Sequence, residues 1–228
     1  MSISENLLKI KNKLPTNVTL VAVSKTKPSS DIIEAYTTGH RIFGENKIQE
    51  MVAKYKELPK DIEWHMIGHI QRNKVKYMAS FVSLIHAVDS LRLLKEINKQ
   101  ALKNNRIINC LLQIKIASEE SKFGLTENEV SELLASEEFK SYQNIKIEGL
   151  MGMATFTDNQ EQLQKEFRLL KNIFDTICNL DIANCQLEIL SMGMSDDYPI
   201  ALENGSNMVR VGSSIFGKRA YSINFNKN

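Results

Sequence analysis

Eight apolar runs rich in valine and isoleucine alternate with segments of helical patterning along this 228-residue chain, and no other feature limits its fold so strongly. The runs are 18–24, 41–46, 62–68, 81–89, 107–117, 145–153, 186–193 and 207–217, the last including an exit loop. Helical patterns fill the gaps at 29–39, 47–58, 71–80, 90–105, 126–139, 159–179 and 195–204, after a helix at 3–14 carrying Leu7, Leu8, Ile10 and Leu14 near one side. Ser29 or Ser30 suits an N-cap, as does Ser90, and Thr126 with Glu129 has capping-box spacing. Continuous apolar strands joined through helices call for a parallel sheet buried on both faces. Eight such units in about this length predict an α/β fold, a single (β/α)8 TIM barrel, for which roughly 250 residues is typical. An open doubly wound sheet is the alternative. It would lead with a glycine-rich first turn, and the first turn here is SKTKPSS. No linker or composition shift divides the chain, so one domain over 1–228 is expected, with a tail at 219–228.

Composition narrows the partners. Twenty-nine basic and 27 acidic residues leave a formal charge of +2, which gives no general attraction to nucleic acid, and aromatic residues are not interleaved with basic ones. There is no signal-peptide pattern and no apolar stretch of about 18 residues, so no membrane partner and a cytoplasmic location are expected. Cys110, Cys178 and Cys185 form no CxxC pair and read as small core residues of a reducing compartment. The sequons at Asn17 and Asn204 read as chance matches without a secretory signal.

In such barrels chemistry sits at the C-terminal ends of the strands. Lys25 stands at the end of the first. It is either a solvated strand end or a reactive amine at the mouth of a pocket. Lys27 precedes Pro28, which favours extension, so continued extension from 25 to 27 would put both amines on one side. A neighbouring cation and desolvation would each lower a lysine pKa and sharpen its nucleophilicity. After the seventh and eighth strands, SMGMSDD (191–197) and RVGSS (210–214) are either plain turns or an amide-and-hydroxyl cup for phosphate. An amine at one end and such a cup at the other suggest a phosphorylated aldehyde. Arg210 lies in an otherwise apolar strand beside the cup. Pairing with an acidic side chain is one reading. Facing a pyridine nitrogen is another, which would leave the ring neutral and a weak electron sink. His65 and His69 lack a third metal ligand, so no metal is expected. His86 falls at a strand's inner end, 71–77 reads as a solvated basic turn, and GLMGMATF (149–156) reads as core strand with a second reading as a ring-lining surface.

Five separated segments, VAVSKTKP (21–28), FGEN (43–46), WHMIGHIQRNK (64–74), SMGMSDDYPIAL (191–202) and VRVGSSIFG (209–217), together resemble the pyridoxal 5′-phosphate homeostasis proteins, the YggS-like proteins also called proline synthase co-transcribed homologues. The likeness runs from about residue 5 to 219. Ser213 stands where many members carry threonine and keeps the hydroxyl. The resemblance implies an alanine racemase N-terminal domain-like barrel with pyridoxal 5′-phosphate held as a Schiff base on Lys25. It implies phosphate contacts at Ser191, Gly212 and Ser213, a pyridine nitrogen facing Arg210, and Asn46, Met151 and Met192 near the ring. Lys122 would occupy the place of a racemase arginine near the ring hydroxyl. Two functions then compete. One is a cofactor-binding protein, expected to be a monomer without appreciable turnover, that holds vitamin B6 cofactor for apo-enzymes that depend on it. The other is an amino-acid racemase or related enzyme. Racemases of this type add a second domain that supplies the opposing acid or base; the sequence ends about ten residues after IFGKR, and Arg210 also argues for binding.

Overall fold

The computed structural model describes residues 2–118 and 123–217, so Lys122 and the tail at 219–228 lie outside the described residues. Eight strands, β1 (Thr19–Val23), β2 (Ile42–Glu45), β3 (Glu63–Met66), β4 (Leu84–Val88), β5 (Ile108–Ile114), β6 (Ile145–Gly152), β7 (Cys185–Ser191) and β8 (Met208–Val211), close in chain order into one barrel. Every neighbouring pair is parallel, and β1 meets β8 with Val21 opposite Arg210. The chain is therefore a (β/α)8 barrel.

Strand residues alternate between two apolar populations, as a period of two demands. Val21, Leu84, Leu111, Met151 and Met208 meet inside the barrel. Ala22, Phe43, Trp64, Leu112, Leu150 and Val209 face outward and pack with the helices. The helix Leu91–Lys103 buries Leu93, Leu94, Ile97 and Ala101, and the helix Gln160–Cys178 buries Leu163, Phe167, Leu170, Ile173 and Ile177. Such spacing gives each helix one apolar stripe. Each fully buried large side chain, such as Trp64 or Phe167, contributes about 1.5–3 kcal/mol. Ser90 and Asn159 cap these two helices.

The local readings depart from the sequence at several points. Cys110 is buried as expected of a core residue, but Cys178 is exposed at the end of the helix Gln160–Cys178 and Cys185 is half-buried. The first helix spans Ile3–Lys11 and buries Leu7 and Ile10, while Leu8 is 43% exposed. Pro28, not a serine, takes the N-cap position of the helix Ser29–Thr37, because its fixed φ suits helix entry. Residues 71–80 contain only a 3-10 helix, Arg72–Tyr77. The segment 126–139 is two helices, Glu127–Ala135 and Glu137–Lys140, with the expected capping box at Thr126. Ser136 ends the first and caps the second, its hydroxyl accepting from the Phe139 amide as Phe139 turns into the core. After β8 the chain forms a short helix, Ser213–Phe216, against which the first helix packs through Asn6 Nδ2 and the Ile215 carbonyl.

Candidate functional site

A cavity of about 540 Å³ opens at the C-terminal ends of the strands. Lys25, half-buried, stands on its wall, and so does Lys27. The two share the wall for a reason other than extension. Residues 24–27 form a tight turn in which the Lys27 amide donates to the Ser24 carbonyl at 3.0 Å and Thr26 has φ 64°. Lys27 Nζ then donates to the Phe216 carbonyl at 2.6 Å, tying this turn to the exit from β8.

Asn46 reaches the wall from the end of β2, beside Gly68 after β3. These loops touch backbone to backbone: a Cβ on Gly68 would lie 2.4 Å from the Asn46 carbonyl oxygen. His65 and His69 part company here. His65 is buried inside the barrel on His86, whereas His69 sits at the rim, stacked on Phe123 at 4.3 Å.

The opposite wall comes from β7 and β8. Gly193, at φ 94°, makes the turn out of β7 where a side chain would be strained. The amides of Gly212 and Ser214 converge on one oxygen, the Ser195 hydroxyl, at 3.2 and 3.5 Å. The hydroxyl so held keeps its own proton to donate, and Ser195 and Ser213 together on the wall give an anionic oxygen donors to meet.

Arg210 lies between the two walls and is only 4% exposed. Its Nη1 donates to the Ser191 carbonyl at 2.9 Å and hydroxyl at 2.7 Å, and its Nη2 to the Gly152 carbonyl at 2.9 Å. A guanidinium has five N–H donors, so these bonds anchor the group and leave donors for the cavity it lines. Burial lowers its pKa to about 10, with Asp197 the one charged group that pulls it back up. It remains a cation at neutral pH. Lys25, Lys27 and Arg210 against Asp196 make the wall electropositive among the described residues, which draws an anionic ligand.

The structure thus brings Lys25, Asn46, Arg210, Gly212 and Ser213 to one cavity. Ser191 does not line it; fully buried, it lies under Arg210 as that residue's anchor. Met151 and Met192 do not line it either. Met151 fills the barrel interior below, and Met192 packs outward against the helices. Their neighbours two residues on, Met153 and Met194, are on the wall, along with Gln113, Phe123 and Phe156. Alternation through Met151 puts Met153 on the inner face, whereas Met194 follows the turn at Gly193, where alternation ends. Phe123 and Phe156 come from loops that carry no periodic signal.

The family described as alanine racemase, N-terminal domain, matches residues 1–220. The pyridoxal phosphate homeostasis protein of Aquifex aeolicus is 39% identical over 203 residues, covering 89% of this chain and 87% of that protein. The protein of the same name in Haemophilus influenzae is 37% identical over 226 residues, covering 98% and 94%. The solved structure of PipY from Synechococcus elongatus with PLP bound superposes with a TM-score of 0.86 at 33% identity, covering 95% of this chain and all of that one.

Proposed function

The chain belongs to the alanine racemase N-terminal domain family and, within it, to the pyridoxal phosphate homeostasis proteins, and on that premise we propose that it binds pyridoxal 5′-phosphate covalently through Lys25 and holds it without appreciable turnover. One observation carries the proposal. A lysine amine, a buried guanidinium and the Ser195 hydroxyl on which two amides converge share one cavity. When bound, the cofactor supplies an aldehyde carbon, which an amine captures with loss of one water, and an anionic tail. The donor set fits both ends. Lys25 would hold the aldehyde end, and Gly212, Ser213 and Ser195 would hold the phosphate end. Asn46 lies beside the amine, on the adjoining strand end.

Arg210 decides between holding and turning over. With a pKa of about 10 it cannot surrender a proton at neutral pH, so any nitrogen it faces stays unprotonated. A neutral ring withdraws electrons weakly, which favours retention over chemistry on amino acids. In this role the protein serves apo-enzymes that depend on the cofactor, as a cytoplasmic monomer. Among the described residues no helix is long and apolar enough to cross a membrane.

The experiment is reduction with borohydride after soaking in pyridoxal 5′-phosphate, followed by peptide mass mapping. The tag is expected on Lys25, with loss of the absorbance band in Lys25→Ala. A tag on another lysine sinks the proposal. Incubation with D- or L-alanine in deuterated solvent is expected to give no Cα exchange above that of free cofactor. Exchange at enzyme-like turnover would favour the racemase reading instead. Light scattering that reports a dimer would remove the monomer, and capture of no cofactor-dependent apo-enzyme by the loaded protein would remove direct delivery.

A further inference from the structure

Beside Lys25, but off the cavity wall, β2 and the helix Ile48–Glu57 bring three ionisable side chains to one point. Glu45 is fully buried, Lys54 is 6% exposed, and Glu50 lies one helical turn before Lys54. Lys54 Nζ donates to Glu45 Oε1 at 2.8 Å, to Glu50 Oε1 at 2.7 Å and to the Ser24 carbonyl at 2.9 Å. All three of its protons are thereby used. The Ser24 hydroxyl donates to Glu45 Oε1 at 2.5 Å, and the Thr26 amide donates to Glu50 Oε1 at 2.6 Å.

The two backbone bonds of this cluster fall on the residues immediately before and after Lys25. One of those residues, Thr26, is β-branched yet left-handed at φ 64°, a conformation that only outside contacts sustain. Stability alone does not account for the arrangement. Buried ions are costly to desolvate, and well-packed apolar side chains often serve a fold as well. Glu45 Oε2 is moreover buried with no hydrogen-bond partner among the described residues. We infer that Glu45, Glu50 and Lys54 are positioning residues for Lys25, clamping the turn that presents its amine to the cavity.

The inference rests on the covalent capture proposed above, and one experiment separates the two. Wild-type chain, Glu50→Ala, Glu50→Gln and the double variant Glu50→Ala with Thr26→Gly are titrated with pyridoxal 5′-phosphate well below their unfolding temperatures. Each is reduced with borohydride, and the tag on Lys25 is quantified. Glu50→Ala is expected to need roughly tenfold more cofactor for half-labelling, the factor set by one lost charge-assisted hydrogen bond. Glu50→Gln keeps an acceptor for the Thr26 amide and is expected to stay within about threefold of wild type. Glycine enters the left-handed region freely, so Thr26→Gly is expected to restore most of the labelling that Glu50→Ala loses. Equal labelling of wild type and Glu50→Ala overturns the clamp and leaves capture by Lys25 standing. A loss that glycine does not restore assigns the cluster to folding and overturns the clamp as well. Wild-type chain with no tag on Lys25 overturns the capture itself.

Discussion

His86 and His65 share one hydrogen bond, Nε2 to Nδ1 at 3.0 Å, inside the barrel between β4 and β3. The His86 ring meets the Ser191 hydroxyl with its other nitrogen at 3.2 Å, and that hydroxyl accepts from Arg210 at 2.7 Å. A guanidinium can only donate. In the fully satisfied chain the Ser191 proton therefore goes to His86 Nδ1, and the His86 Nε2 proton goes to His65. The order runs outward from the one cation, and a proton added to either ring would both break it and set a second positive charge beside Arg210.

Acid should therefore unfold this protein early. Burial lowers the pKa of His65 to about 3 and of His40 to about 4, and holds His86 well below 6.5. The unfolded chain takes up these protons first, so the stability these rings contribute is present above pH 6.5 and lost as pH falls. Each ring contributes about 1 kcal/mol between pH 6.5 and 5.5, its slope approaching about 1.4 kcal/mol per pH unit only further below 6.5. Glu45 acts the other way. Burial, opposed by Lys54 and the Ser24 hydroxyl and reinforced by Glu50, pushes its carboxyl up to about 7. The fold keeps that proton after the unfolded chain has lost it, so stability declines from about pH 4.5 to 7. Three rings outweigh one carboxyl. Urea unfolding is expected to show about 2 kcal/mol less stability at pH 5.5 than at 6.5. A flat profile across that interval would contradict the neutral buried rings.

Arg210→Lys is expected to fail as a conservative change. The guanidinium spans β7 and β6 by bonding Ser191 and the Gly152 carbonyl at once. An ammonium on a shorter stem cannot hold that fork and leaves a buried carbonyl unpaired. Chemical denaturation should register a loss of about 2–4 kcal/mol, and cofactor titration roughly tenfold weaker binding. A stability change inside about 0.5 kcal/mol would mean that the three bonds do not constrain the seam.

The barrel was legible in the sequence because most of its strands read as apolar runs. The register at the mouth was not. Polar alternation marks only the entries of β6, at Lys146 and Glu148, and of β7, at Gln186 and Glu188, and the β6–β7 pairing shifts between Ile147 and Gly149, so nothing marked whether Met151 or Met153, Met192 or Met194, would reach the mouth. Lys25, Asn46, Arg210, Gly212 and Ser213 could be found because each is a polar or flexible residue breaking such a run near its end. The clusters behind them could not. Ser24 and Lys54 are 30 residues apart and His86 and Ser191 are 105 apart, so only barrel closure introduces them. The turn at 24–27 escaped for a local reason: Pro28 constrains Lys27 and says nothing about Thr26.

Gly68→Ala tests whether the cavity wall depends on backbone contact between neighbouring strand ends. The added Cβ would sit 2.4 Å from the Asn46 carbonyl oxygen and 2.7 Å from its Cα. Backbone cannot rotate aside as a side chain would, so the β2 and β3 exits must part and carry Asn46 with them. Overpacking of this kind costs about 1–3 kcal/mol, and the displaced Asn46 should weaken cofactor binding by roughly tenfold. Gly39→Ala is the matched control. A Cβ there meets nothing within 4 Å, yet φ is 87°, so the loss is conformational alone, about 1–2 kcal/mol, and binding should not change. Urea unfolding and cofactor titration of both variants separate the two effects. Unchanged binding in Gly68→Ala would mean that Asn46 is not held where it matters by that contact.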